Sequence, residues 1–257
     1  IAGSATIGNP GELFEQLTGL QAHLVDRDGS PQGRRFFVLW NPPLSNKPGT
    51  DRRSANIEAA ELLGELVRRQ VRTIVFVRAR LIAELILRYA RYRLGEELGQ
   101  AIMAYRGGYL PAQRREIERR LFTGELLGVV STTALEVGVD IGGLEAAILV
   151  GYPGSIASTW QQIGRAGRAL QDSLGVLIAL PGGIHGYLLQ HPEYLLEQGA
   201  ERVLIDPHNR YILAAHLACA AFEQPIEDSE SALFGDEMLP ILEILADPAN
   251  RDDSDLP

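Results

Sequence analysis

Six short apolar runs, most of them followed by a stretch with helical spacing, constrain this 257-residue chain more than any other feature. The runs are Phe36–Trp40, Thr73–Val77, Ala101–Tyr105, Leu127–Thr132, Ala146–Gly151 and Gly175–Leu180. Most are continuously hydrophobic rather than alternating, as parallel strands covered on both faces require. Helical patterns fall near 54–70, 79–95, 111–123 and 155–168. In the first, Ser54 is a good N-cap, and Ile57, Ala60, Leu63 and Val67 share one side. Pro111 suits the first position of the third, where Ile117 and Leu121 stand one turn apart. Alternating strand and helix predicts an α/β fold, a parallel sheet sandwiched by helices.

The flanks differ from this middle. Residues 1–30 are punctuated by Gly and Pro and read as an incoming linker, residues 31–200 as the sheet domain, and residues 41–53 as a Pro-rich surface loop. After about residue 200 the alternation stops. Residues 210–222 and 236–246 read as helices with no strand between them, the first of them buried, and Asp247–Pro257 as an acidic end. The chain opens on Ile1 and reads as a piece cut from a longer protein. No apolar run approaches the ~18 residues that cross a bilayer, and no signal peptide is visible. These observations predict no membrane partner and a cytoplasmic setting. One cysteine, Cys219, excludes an intramolecular disulfide and a multi-cysteine zinc site. Cys219, His185 and His216 read as core or cap residues, and no metal site is expected.

The formal charge of −9 argues at first against nucleic acid. Its distribution reverses that argument. Residues 51–120 hold fifteen arginines against nine acids, whereas residues 201–257 hold three arginines against thirteen acids. Lys47 is the single lysine and lies outside any Gly-rich phosphate loop, so the chain has no Walker A signature.

Gln161-Gln162-Ile163-Gly164-Arg165-Ala166-Gly167-Arg168 sets two arginines three residues apart in a Gly-rich turn of a helix. Arginine presents a rigid fork of donors suited to phosphate oxygens, and the small residues between let a phosphate approach. This is the pattern of an arginine-finger element in an ATP-driven motor. About twenty residues earlier, Gly138 allows close backbone approach and Asp140 can accept from a ribose hydroxyl. Thr132 ends a strand, where its hydroxyl and N–H can hold a nucleic-acid phosphate. Arg78 and Arg106-Gly107-Gly108 also follow strands, and ligands of open α/β sheets gather beyond the carboxyl ends of strands. Such contacts carry affinity without reading sequence. A surface salt bridge competes with this role for each arginine, with equal weight at Arg80. Arg114, Arg115, Arg119 and Arg120 read as a solvated helix face with Glu116 and Glu118.

Taken in order, these segments resemble the motifs of superfamily 2 helicases. Ser4-Ala5-Thr6 is similar to motif III, Thr73–Arg80 to motif IV, Tyr105-Arg106-Gly107-Gly108-Tyr109 to the loop that follows it, Ser131–Gly142 to motif V and Gln161–Arg168 to motif VI. Glu136–Gly142, His191-Pro192-Glu193-Tyr194 and Ile205–Tyr211 with Ala214–Leu217 resemble one branch, the DEAD/DEAH-box DNA repair helicases of the mitomycin repair factor A type, related to the fungal RecQ4-like helicase. The resemblance implies a second RecA-like domain with the truncated start of a winged-helix-like domain over 201–257. It implies ATP-dependent, 3′-to-5′ unwinding of DNA, with ATP and Mg2+ bound mainly by a first RecA-like domain that is this domain's partner. It further implies that Arg168 acts as the finger and Arg165 as the γ-phosphate sensor, with Gly138 and Asp140 also at the nucleotide. Arg78, Arg106, Gly107, Gly108 and Thr132 then grip a single strand or fork, and Ser4 and Thr6 couple ATP state to domain movement. Gln161 and Gln162 stand where RNA-type DEAD-box proteins carry His-Arg, which weakens an RNA reading. An RNA helicase, a duplex translocase of the same superfamily and a RecA-like scaffold that only binds protein stay open on these residues.

Overall fold

A computed structural model describes residues 1–4, 6–27, 29–45, 52–136, 141–167, 171–206 and 209–247. Its elements run α1 (Pro10–Thr18), β1 (Arg35–Trp40), α2 (Ala55–Arg68), β2 (Thr73–Phe76), α3 (Arg80–Gly99), β3 (Ile102–Tyr105), α4 (Pro111–Phe122), β4 (Gly128–Ser131), β5 (Ala146–Val150), α5 (Ile156–Ile163), β6 (Ser173–Ile178), α6 (Gly183–Gln190), α7 (Glu193–Leu196), α8 (Arg210–Glu223), α9 (Ser231–Phe234) and α10 (Met238–Ala246). They divide into two compact units, one of Ile1–Asn9 with Val25–Arg202, the other of Pro10–Leu24 with Val203–Pro257.

The first unit is built on a six-stranded sheet in the order β1-β6-β5-β2-β4-β3. Every pairing is parallel, with Thr73–Phe76 in register with Gly128–Ser131 on one side and Ala146–Leu149 on the other. All six apolar runs become strands, and β2, β4 and β5 are buried at every position. The sheet separates two apolar layers. On one side Ile74, Phe76, Leu149 and Leu177 meet Ile117, Leu121 and Ile163 of α4 and α5. On the other, Val75, Ile148 and Val176 meet Ala59, Leu63, Val67, Ala83 and Ile86 of α2 and α3. This is a RecA-like parallel sheet covered by helices on both faces, the architecture expected of an α/β chain with near-continuous apolar strands.

Several local expectations change. Ser54 precedes α2 in an extended conformation, but its side chain makes no cap bond. The buried stripe of α2 runs Ala55, Ala59, Ala60, Leu63 and Val67, which leaves Ile57 on the flank, 37% exposed. In α4, Pro111 does open the helix, the Gln113 side-chain oxygen accepts from Leu110 N at 3.1 Å, and Ile117 and Leu121 are buried. On the outer side of α4, Arg119 bonds Glu116 and Glu125, while Glu118 instead accepts from the Tyr105 hydroxyl. The helix expected over 155–168 stops at Ile163, capped by Gly164.

The second unit corrects two expectations. Residues 1–30 do not form one linker, because Pro10–Thr18 is helical and belongs with the C-terminal residues. Proline suits the first turn of a helix, and Gly19, at a φ of 69°, ends it. Asn209 caps α8 by accepting from Tyr211 N and Ile212 N at 3.1 and 3.3 Å. That helix is not buried as its composition predicts: of its residues only Leu217 is buried, in a small cluster with Met238 and Ile241, and Cys219 and His216 are exposed. No helix among the described residues is long and apolar enough to cross a membrane.

Candidate functional site

The candidate residues of the first unit fall in two places: Arg78, Arg106–Gly108 and Thr132 follow the carboxyl ends of β2, β3 and β4, neighbours in the sheet, whereas the turn that carries Arg165 lies beside Leu144, just before β5 begins. Arg165 follows α5. Its Nε and Nη2 donate to the backbone carbonyl of Glu136 at 2.9 and 2.5 Å. Gln162, buried on α5, donates from Nε2 to the Glu136 carboxylate at 2.8 Å and to Ser158 Oγ at 3.2 Å. Glu136 thus binds the arginine through its main chain and the glutamine through its side chain. The guanidinium fork is oriented before any ligand arrives.

The turn that carries Arg165 is itself pinned. Leu144 and Ala166 form a parallel bridge, and Gly167 N donates to Leu144 O at 2.9 Å. Gly167 has a φ of 82°, and a Cβ there would lie 2.5 Å from Ser173 Oγ. Only glycine suits both the left-handed backbone and that approach. Gly138, Asp140 and Arg168 lie outside the described residues.

Thr132 follows β4, one residue past its expected place at the strand's end, and leads into a one-turn helix, Thr133–Leu135, with no cap bond from its side chain. Arg78, exposed after β2, donates from Nη2 to Tyr152 O at 2.5 Å and so joins the β2 loop to the β5 loop. The N–H of the same Tyr152 donates to His185 Nε2 at 3.0 Å. His185 is 7% exposed, and its Nδ1 has no partner among the described residues. Burial, and then the charge of Arg78, pushes its pKa below the ordinary histidine value. His185 is therefore a neutral core acceptor, as the sequence suggested. Arg78, Thr133, Pro153 and Gln162 line one small pocket, which brings the β2 loop against the helix of Arg165.

Beyond β3, Arg106 donates from Nε to Glu84 Oε1 at 2.8 Å and lies 4.7 Å from the centre of the Tyr109 ring. The competing salt bridge thus forms at Arg106. It does not form at Arg80, which has no acidic partner among the described residues. A Cβ on Gly107 would lie 3.2 Å from Arg80 Nη2, and one on Gly108 3.6 Å from Arg106 Nη1. Both guanidinium groups converge on the bare backbone of this Gly-Gly turn. At the N-terminus Ser4 is exposed and Thr6 half-buried. Two residues on, Gly8 N donates to Glu201 O at 3.0 Å.

Sequence reasoning did not single out Glu136, Gln162 or Glu201 as functional, and left Arg80 undecided. For Arg80 a signal existed, an arginine just past a strand. The other three act through partners 26 to 45 residues away, a distance no local pattern reports.

The chain matches the helicase conserved C-terminal domain over residues 58–170, and the winged helix domain of ATP-dependent helicase HRQ1 over residues 205–250. It is 50% identical over 97% of its length to the uncharacterized ATP-dependent helicase YprA of Bacillus subtilis, and 40% identical over 88% to the ATP-dependent helicase HRQ1 of Saccharomyces cerevisiae. It spans only 33% and 22% of those two relatives. Among solved structures it resembles the DUF1998 helicase MrfA bound to DNA, with a TM-score of 0.84, 51% identity and coverage of 94% of this chain and 32% of that one. The same helicase bound to DNA and AMPPNP gives a TM-score of 0.85 at 49% identity, over 95% of this chain and 34% of that one.

Proposed function

From a chain that belongs to the superfamily 2 helicases, as a second RecA-like domain of the branch that holds MrfA and HRQ1, we propose the C-terminal motor half of an ATP-dependent DNA helicase acting in repair. The observation that carries this reading is Arg165, its fork fixed on the Glu136 carbonyl at the end of α5. Charge spreads over the oxygens of a transferring phosphoryl group, and a pre-oriented guanidinium stabilises it.

The residues present fit one end of a nucleoside triphosphate. Arg165 and the Gly-rich turn suit its terminal phosphate, with Arg168 as the finger and Gly138 and Asp140 beside the nucleotide. The single lysine, Lys47, sits in no phosphate loop, so the remaining phosphates and Mg2+ fall to a first RecA-like domain. When bound, the nucleotide and its cation supply the free energy and the charge neutralisation for turnover. This chain's residues orient the terminal phosphate and grip the nucleic acid. Arg78, Arg80, Arg106, the Gly107-Gly108 backbone and Thr132 hold phosphates, a grip blind to base identity. Movement in the 3′-to-5′ direction and a cytoplasmic setting belong to the same proposal.

The reading is tested in the intact protein. Arg168→Ala and Arg165→Ala each leave ATP binding nearly intact while turnover falls by roughly 10³-fold or more. Unchanged turnover in both removes the finger from this turn. Strand displacement on matched DNA and RNA duplexes separates a DNA from an RNA motor, and strong ATPase activity in this chain alone contradicts the shared site.

A further inference from the structure

Helix α5 bears Arg165 just past its C-terminal end, so whatever sets the start of α5 also sets Arg165. The first N–H groups of a helix have no partner within it. Here Ser155 Oγ accepts from Ser158 N at 3.0 Å, and the Glu201 carboxylate accepts from Ile156 N and Ala157 N at 2.5 and 3.0 Å. A carboxylate at this end is also favoured by the helix dipole. Burial pushes the Glu201 pKa up, but the bonds from Ala157 and Ile156 outweigh burial and hold it below the usual carboxylate value.

The main chain of the same residue holds a second segment. Glu201 O accepts from Gly8 N at 3.0 Å, and a Cβ on Gly8 would lie 2.2 Å from Ala200 O. Gly8 follows Thr6 by two residues. Farther along α5, Trp160 Nε1 donates to Leu195 O at 3.0 Å, and the last turn is tied to Glu136 through Gln162. We propose that Glu201 is a positioning residue that links displacement of the Thr6–Gly8 segment to the placement of Arg165, through helix α5. The proposal rests on the nucleotide-facing role of Arg165. Because two oxygens take two successive N–H groups, the carboxylate fixes the rotation of α5 as well as its position. A helix displaced by 1 Å at its start displaces the fork at its end by a similar distance, and such shifts cost up to ~100-fold in turnover.

The experiment uses the intact protein and reads kcat and KM for DNA-stimulated ATP hydrolysis and the Kd for DNA, with Arg165→Ala as benchmark. Glu201→Ala lowers kcat by roughly 10-fold or more, with KM and DNA Kd within about twofold of wild type. Glu201→Gln keeps an acceptor oxygen and restores much of kcat. Gly8→Ala keeps the carboxyl group but pushes the Ala200–Glu201 backbone aside, lowers kcat as Glu201→Ala does, and adds nothing further in the double variant, because both act along one path. Wild-type kcat in Glu201→Ala overturns the inference, as does a loss that Glu201→Gln does not relieve. Should Glu201→Ala fail to fold, Gly8→Ala decides by the same readout. Wild-type turnover in Arg165→Ala points instead to failure of the motor reading, whereas its collapse beside a normal Glu201→Ala sinks the positioning role alone.

Discussion

Arg165 reaches to the segment after β4 and donates twice to the carbonyl of Glu136, at 2.9 and 2.5 Å. A main-chain acceptor cannot be removed by substitution, so the orientation depends on the donor. Lysine keeps the charge but lacks the planar fork. Arg165→Lys in the intact protein is therefore expected to lower ATP turnover by roughly 10- to 100-fold, although charge is conserved. Steady-state hydrolysis measures it, and a wild-type kcat would show that charge alone suffices.

Gly167 predicts a cost in stability. Its φ of 82° and the 2.5 Å approach of a Cβ to Ser173 Oγ penalise any side chain. Gly167→Ala is expected to destabilise the chain by at least ~1–2 kcal/mol, from the left-handed backbone alone. Urea unfolding at constant m-value reads the shift. An unmoved midpoint means that this turn adjusts freely.

His185 predicts a pH dependence. Its pKa is lowered in the folded state by burial and by Arg78, below the ordinary histidine value. A depressed histidine contributes stability that is fully present above its unfolded value and is lost as pH falls through the folded value. Protonation also ends the role of Nε2 as acceptor for Tyr152 N. At about pH 8, His185→Ala should cost ~1–3 kcal/mol, because the Tyr152 N–H is left without its acceptor. The gap between variant and wild type should narrow as pH falls below about 6.5. Denaturant midpoints across that range check the sign, and a widening gap contradicts it.

Arg80 and Arg106 predict a salt effect. Each phosphate neutralised on a single strand adds about 0.7 to the slope of log affinity against log salt. Arg80→Ala should remove about one such contact, equally for every sequence. Arg106→Ala should do less, because Glu84 already holds that guanidinium at 2.8 Å. Equal slopes for Arg80→Ala and wild type would exclude Arg80 from the grip.

The strands were legible because burial on both faces leaves a continuous apolar run, and all six appear within a few residues of their expected bounds. Helices α1, α6 and α7 were not read, since Gly11, Gly183 and Gly186 and short length blur the helical period. The end of α5 was overrun because Gly164 inside a helical pattern does not say on which side the chain turns away. The run 212–221 reads as buried by composition, yet burial depends on what covers a helix, and within its own unit only Leu217 is covered. The arginine turn was legible by spacing. What holds it was not, because Glu136, Gln162 and Glu201 contribute through folded proximity.

The loops after β5, β2, β4 and β3 leave four successive rungs of one parallel sheet. Their separation is therefore a lattice constant of the backbone, about 4.8 Å per rung. Substituting the side chains that line these loops alters how firmly each one holds. It does not alter the stride between them, which the hydrogen bonds of the backbone ladder set.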